Sequence, residues 1–257
     1  MSSNAMTAVL RSEWIKATTV RSTPWTLILT LATSIAVGVL DSVSVKGAIA
    51  RHSTMVRPDF NAPDAGFVGI SFGQLCLVVF AVLIASTEYT SGMIRSSLTA
   101  VPGRGLFYAG KLAVVAAVAF AVALVTALAS FLASEKALGG IGVPLSTPHL
   151  AGALLGAAGF LALLCVFSAA VAFVLRSSAM ALGILIPFYF VVPTVLTLAP
   201  GLKTAANYLP DQAGSQMMQL VRQGTSTLTP GSGCAVLAAW TLLAVLCGYL
   251  SLRLRDV

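Results

Sequence analysis

Two short runs carry residue types that other proteins use for chemistry. Gly105-Leu106-Phe107-Tyr108-Ala109-Gly110-Lys111 fits the first seven positions of a phosphate-binding loop, in which backbone amides cradle phosphates and the lysine reaches them. The fit then fails. Leu112 stands where a Ser or Thr must hold magnesium, the interior is bulky and aromatic, and the run feeds an apolar stretch. This chain is therefore not expected to bind ATP itself. Gly69-Ile70-Ser71-Phe72-Gly73 matches G-x-S-x-G, but a serine nucleophile needs a base within hydrogen-bond reach. The two histidines, His52 and His149, fall outside the apolar stretches. The better reading is a Gly69/Gly73 pair that lets helices approach closely, with Gly152/Gly156 as a second such pair. Cys76, Cys165, Cys234 and Cys247 form no CxxC pair, and no H-E-x-x-H occurs. No metal site and no resident cofactor are expected. The acids Asp41, Asp64, Glu88 and Glu135 sit only at the ends of apolar stretches. That argues against a buried ion relay, although backbone carbonyls remain a route for sodium.

The elements that must position these residues follow from solvent. Of 257 residues, 58% are hydrophobic and 9% charged, against about 25% charged in ordinary soluble domains. Mean hydropathy is +0.94. A single water-soluble core cannot hide that much apolar surface, and about 20 apolar residues cross a bilayer as a helix. Six stretches qualify: Ser22–Leu40, Ala65–Thr87, Leu112–Ser134, Leu150–Leu175, Ser177–Leu202 and Cys234–Leu252. They are continuous and not alternating, which excludes a transmembrane barrel. The expected fold is an all-α membrane protein with six transmembrane helices, residues 1–257 forming one membrane domain. The net charge of +7 is scattered between apolar runs with no basic stripe among aromatics, so nucleic acid is not an expected partner.

Six spans put both ends on one face. That face carries Arg11, Lys16, Arg21, Arg95, Arg104, Lys111, Arg176, Arg253 and Arg255; the other carries Lys46, Arg51, Arg57, Lys136, Lys203 and Arg222 over a longer length of chain. The denser face is expected to be cytoplasmic. No secretory leader is read at the start. Residues 7–21 place Leu10, Trp14 and Ala17 on one helical face and Arg11 and Lys16 away from it, as an amphipathic interfacial helix does. Pro187 and Pro193 mark the fifth span as a bent helix that either lines a path or simply kinks. Segment 203–233, with Tyr208, Leu209, Met217, Met218 and Leu220, is too apolar for a free linker. Short helices dipping into the outer leaflet are expected there.

Between the second and third spans lies a longer cytoplasmic segment, 88–104. A short helix from about Thr87 to Ala100 fits it, ended by Pro102-Gly103, with Glu88 near its start. Met93, Ile94 and Leu98 give it an apolar side suited to a partner's groove.

Ser12-Glu13-Trp14-Ile15-Lys16 before the first span, Glu88-Tyr89…Gly92…Pro102…Arg104 after the second, and six spans with a long outer loop before the last together resemble the type-2 ABC exporter permeases, especially the short actinobacterial kind. The resemblance covers essentially the whole chain. It implies a bacterial cytoplasmic membrane location. It implies that 88–104 is a coupling helix meeting a separate ATP-binding cassette ATPase subunit, through Glu88, Tyr89, Gly92, Met93, Arg95, Leu98, Pro102 and Arg104. It also implies that 7–21, with Glu13, Trp14 and Lys16, is a connecting helix. Two permease copies, identical or not, would pair in the lipid and enclose the path. ATP and magnesium would reside in the partner, and this chain would not be an enzyme.

The function expected is thus ATP-driven export. The alternatives are an ion-coupled carrier or channel, a membrane enzyme, and a membrane anchor or sensor without transport. Thr30, Ser34, Ser71, Gln74, Pro187 and Pro193 are candidate path-lining residues. Such groups suit a hydrophobic or amphipathic substrate, and each serves equally as helix-packing glue.

Overall fold

A backbone in lipid must satisfy its own polar groups, and a helix does so within one segment. The computed structural model describes residues 3–51, 66–90, 92–100, 103–139, 146–199, 201–220 and 228–254. Its long helices are α2 (Ser22–Ala50), α3 (Ile70–Thr90), α5 (Arg104–Leu138), α6 (Leu150–Leu175), α7 (Ser178–Leu198) and α10 (Pro230–Leu254). These six are long and apolar enough to cross a membrane. The chain is an all-α membrane protein. Shorter helices are α1 (Ser3–Thr19), α4 (Met93–Ala100), α8 (Lys203–Ala206) and α9 (Pro210–Ser215), followed by a 3₁₀ turn at Gln216–Met218.

Helix α6 is the hub. It packs against α3, α5 and α10, and α2 completes the bundle against α3 and α5. The most apolar window of α6 is 61% buried, against 22% in α2 and in α7. The outer helices thus leave broad apolar faces, including Trp25, Ile28 and Leu29 on α2 and Ile184, Val191 and Val195 on α7. Aromatic rings lock the α6–α7–α10 side: Phe167, Phe188 and Trp240 lie with centroids 6.2 to 6.4 Å apart.

Gly69 and Gly73 permit the closest approach of α2 and α3. A side chain on either would run into Ser34, its carbonyl at Gly69 and its hydroxyl at Gly73. Gly156 lies against the backbone of Met217 in the same way, whereas Gly152 faces open space. The G-x-S-x-G run is therefore a packing surface. So is the run that imitates a phosphate-binding loop, which is helical throughout within α5.

The helices outrun the apolar stretches that mark them in sequence. α2 continues past Asp41 and Lys46 to Ala50, and α5 spans Arg104 to Leu138 around Lys111, Glu135 and Lys136. At 1.5 Å per residue, α5 is about 50 Å long, well over the about 30 Å of a hydrocarbon core. Charge limits the depth of a residue in lipid, not the length of its helix. The interhelical segment also divides differently from the expected helix of about 87–100. Glu88 and Tyr89 belong to the last turn of α3, and α4 begins only at Met93. Gly92, at φ +70°, makes the corner, a backbone conformation that favours glycine.

Candidate functional site

At the end of the bundle that gathers α1 and the C-terminus of α10, four charged side chains close into a ring. Glu13 is 3% exposed, Glu88 5% and Lys111 2%. Lys16 Nζ donates to Glu13 Oε1 and to Glu88 Oε1, both at 2.8 Å, and to Ser97 Oγ on α4 at 3.2 Å. Lys111 Nζ donates to Glu13 Oε2 and lies 2.9 Å from Glu88 Oε1. Signs alternate around the ring and sum to zero, which is how charge survives burial. The Phe107 ring lies 5.8 Å from Lys16 Nζ and 5.5 Å from Lys111 Nζ, adding cation–π attraction to both. Glu88 Oε2 is buried without a hydrogen bond among the described residues. Burial pulls the Lys16 ammonium down, but hydrogen bonds and charge from Glu13 and Glu88 outweigh it, and its pKa lies above the ordinary lysine value.

This ring ties α1, α3, α4 and α5 together. α1 presses Val9, Glu13 and Ala17 inward, a stripe of period four. Val9 reaches α5 at Gly110, where a side chain would collide with it. The buried face is thus rotated from the Leu10, Trp14 and Ala17 face expected from apolarity. Trp14 is 51% exposed, and Lys16, expected away from the packed face, contributes its ammonium to the ring. The physical reason is that a salt-bridged carboxylate, not an indole, meets Lys111.

The other residues expected to couple to a partner separate into two groups. Ile94 anchors α4 at 3% exposed while Met93 stands 50% exposed at its start. The side chains of Arg95 and Leu98, and all of Pro102, lie outside the described residues. Tyr89 and Arg104 turn inward. Arg104 donates to the carbonyls of Leu252 and Arg253, and Arg176 donates to that of Ser251. Two guanidinium groups thus hold the carbonyl end of α10, where the helix dipole favours cations. Arg176 also lies 5.4 Å from the Tyr89 ring, which makes an edge contact with Phe173.

Nearer the opposite end, three of the six candidate path residues line one cavity of about 260 Å³: Ser71 and Gln74 on α3, and Pro193 on α7. Thr30 and Ser34 are fully buried where α2 meets its neighbours, and Ser130 on α5 donates to the Ser34 carbonyl. Pro187 is exposed on α7, which stays helical through both prolines. Phe160 on α6 adds to the lining, and a further wall comes from α9 and includes Asp211. That carboxylate is 4% exposed; Oδ2 accepts from Gln212 Nε2 at 2.8 Å, while Oδ1 is buried without a hydrogen bond among the described residues. Burial raises its pKa to about 6, with the Gln212 hydrogen bonds pulling the other way.

Sequence reasoning missed Asp211 altogether, and it read Lys111 only as the lysine of a failed phosphate-binding motif and as a cation of the cytoplasmic face. For the ring a signal existed: Glu13 sits midway between Val9 and Ala17 on a helical stripe that is otherwise apolar. For Asp211 there was none, because its burial arises from the folding of 203–220 onto the bundle.

No known protein-family model matches the chain, and no curated protein matches it in sequence.

Proposed function

We propose that this chain is the membrane-spanning permease subunit of an ATP-driven exporter of the type-2 ABC kind. It moves a hydrophobic or amphipathic substrate out of the cytoplasm or the inner leaflet. The observation that carries this reading is the junction of α1, α3, α4 and α5. α4 is a short helix with an exposed methionine at its start, joined to α3 through the corner at Gly92 and to α1 through the Lys16–Ser97 hydrogen bond. Behind it the charge ring makes three other helices one unit, so a push on α4 reaches several spans together. Such a device suits an energy source that docks from outside. On this reading a separate ATPase subunit, holding ATP and magnesium, sits against α4 and α1. Both termini are then cytoplasmic in a bacterial inner membrane, and a second permease copy completes the path along the apolar outer faces.

The test is transport. Inverted vesicles holding the permease and its ATP-binding subunit should accumulate an amphipathic dye when ATP is added. Replacing that subunit with a hydrolysis-deficient version should abolish uptake. Uptake that persists with the deficient subunit, or that collapses on dissipating a proton gradient, supports the second reading, an ion-coupled carrier. The buried Asp211 is the observation that favours that second reading.

A further inference from the structure

The cavity beneath α9 holds a carboxylate that no cation neutralises among the described residues. Among the described residues, Asp211 Oδ1 is buried without a hydrogen bond, and no Lys, Arg or His lines the cavity. The Gln212 hydrogen bonds offset part of the cost of burying this carboxylate, and a cationic ligand or a proton would recover the rest. The walls say which ligand. Phe160, Tyr189 and Phe190 present aromatic surface, and Ser71, Gln74 and Ser215 offer oxygens that accept hydrogen bonds. A bare metal ion would want several oxygen ligands, commonly including more than one carboxylate, and would leave most of about 260 Å³ empty. An anion would meet Asp211 directly.

We infer that the cavity is a binding site for an organic ammonium ion, a protonated amine carried on a compact aromatic or apolar head group. The ammonium pairs with Asp211, its remaining N–H groups go to the hydroxyl and amide oxygens, and its apolar part lies among the three rings, where cation–π attraction adds to the pairing. The volume is just below the about 300–1,000 Å³ of sites for drug-sized molecules, so one head group fits and a longer tail must extend out of it. The inference rests on the transport reading only in making this ligand the cargo. Binding itself needs no partner subunit.

The experiment uses the purified full chain in lipid nanodiscs, without any ATPase, titrated with 2-phenylethylamine and with its neutral counterpart 2-phenylethanol. At pH 7.5 the amine should bind at least about tenfold more tightly than the alcohol, the size of one ion pair in a desolvated site. Asp211→Asn should remove that preference and leave the alcohol's affinity unchanged. In the unmodified protein the preference should shrink as pH falls from 7.5 to 5, since Asp211 takes up its proton in that range while the amine stays charged. Tyr189 is the other titratable group among the residues lining the cavity, and it is neutral throughout. Equal affinity for the two compounds, no saturable binding of either, or a preference that survives Asp211→Asn or stays constant with pH overturns the inference. None of these outcomes bears on the ATPase partnership, which the vesicle experiment tests separately.

Discussion

Lys111 has two carboxylates and one aromatic ring for neighbours and is 2% exposed. Its removal leaves Glu13 and Glu88 sharing only Lys16, with a net negative charge in a dry place. Breaking a buried pair typically costs about 3–5 kcal/mol, so Lys111→Met is expected to lower the melting temperature sharply. Adding Glu88→Gln restores neutrality and should recover part of the loss, a non-additivity that a double-mutant cycle reads directly. The raised pKa of Lys16 fixes the pH range of its own contribution. A lysine raised on folding stabilises fully below its unfolded value of 10.5, and loses that contribution only as pH climbs through the folded value. The contribution of Lys16 should therefore stay constant across the neutral range. Asp211 behaves differently. Its pKa rises from 3.8 to about 6, so the fold is favoured below pH 3.8 and loses roughly 3 kcal/mol as pH passes through 6, at about 1.36 kcal/mol per unit. Asp211→Asn should accordingly raise thermal stability at pH 8 and change it little at pH 4, measured by melting in detergent.

At the scale of elements, the spans were legible because lipid leaves a backbone few choices. Their ends were not. Glu88 and Lys111 looked like boundaries because they end apolar runs, yet both lie inside helices and face each other. α3 ends at Thr90, just before Gly92 takes φ +70°, a backbone event that hydropathy does not register. The path candidates divided for a related reason. Ser71 and Gln74 reach a cavity, whereas Thr30 and Ser34 are sealed between helices; composition alone cannot tell a hydroxyl on a wall from one in a seam. α10 supplies a test at this scale. Arg104 and Arg176 hold its last carbonyls, and hydrogen bonds from charged donors contribute about 1.5–3 kcal/mol. Arg104→Ala combined with Arg176→Ala should speed hydrogen exchange at residues 248–254 severalfold, with exchange in α6 unchanged.

At the scale of the whole molecule, one end of the bundle is cross-linked by ion pairs, and the other holds a buried carboxylate that no cation neutralises among the described residues lining its cavity. On the proposed export reading, the charged end is where force would enter and the cavity is where cargo would sit. On the same reading, the exposed apolar outer faces of α2 and α7 would meet lipid or a second copy. The partnership with an ATPase is the central claim, and affinity purification of the chain from its native membrane tests it most directly. The unmodified chain should bring down an ATP-binding subunit in stoichiometric amount. Met93→Asp, which changes only an exposed side chain of α4, should lose that subunit while keeping the parent's melting temperature. Purified protein that never contains an ATP-binding subunit, or a Met93→Asp variant that retains it undiminished, would contradict the account.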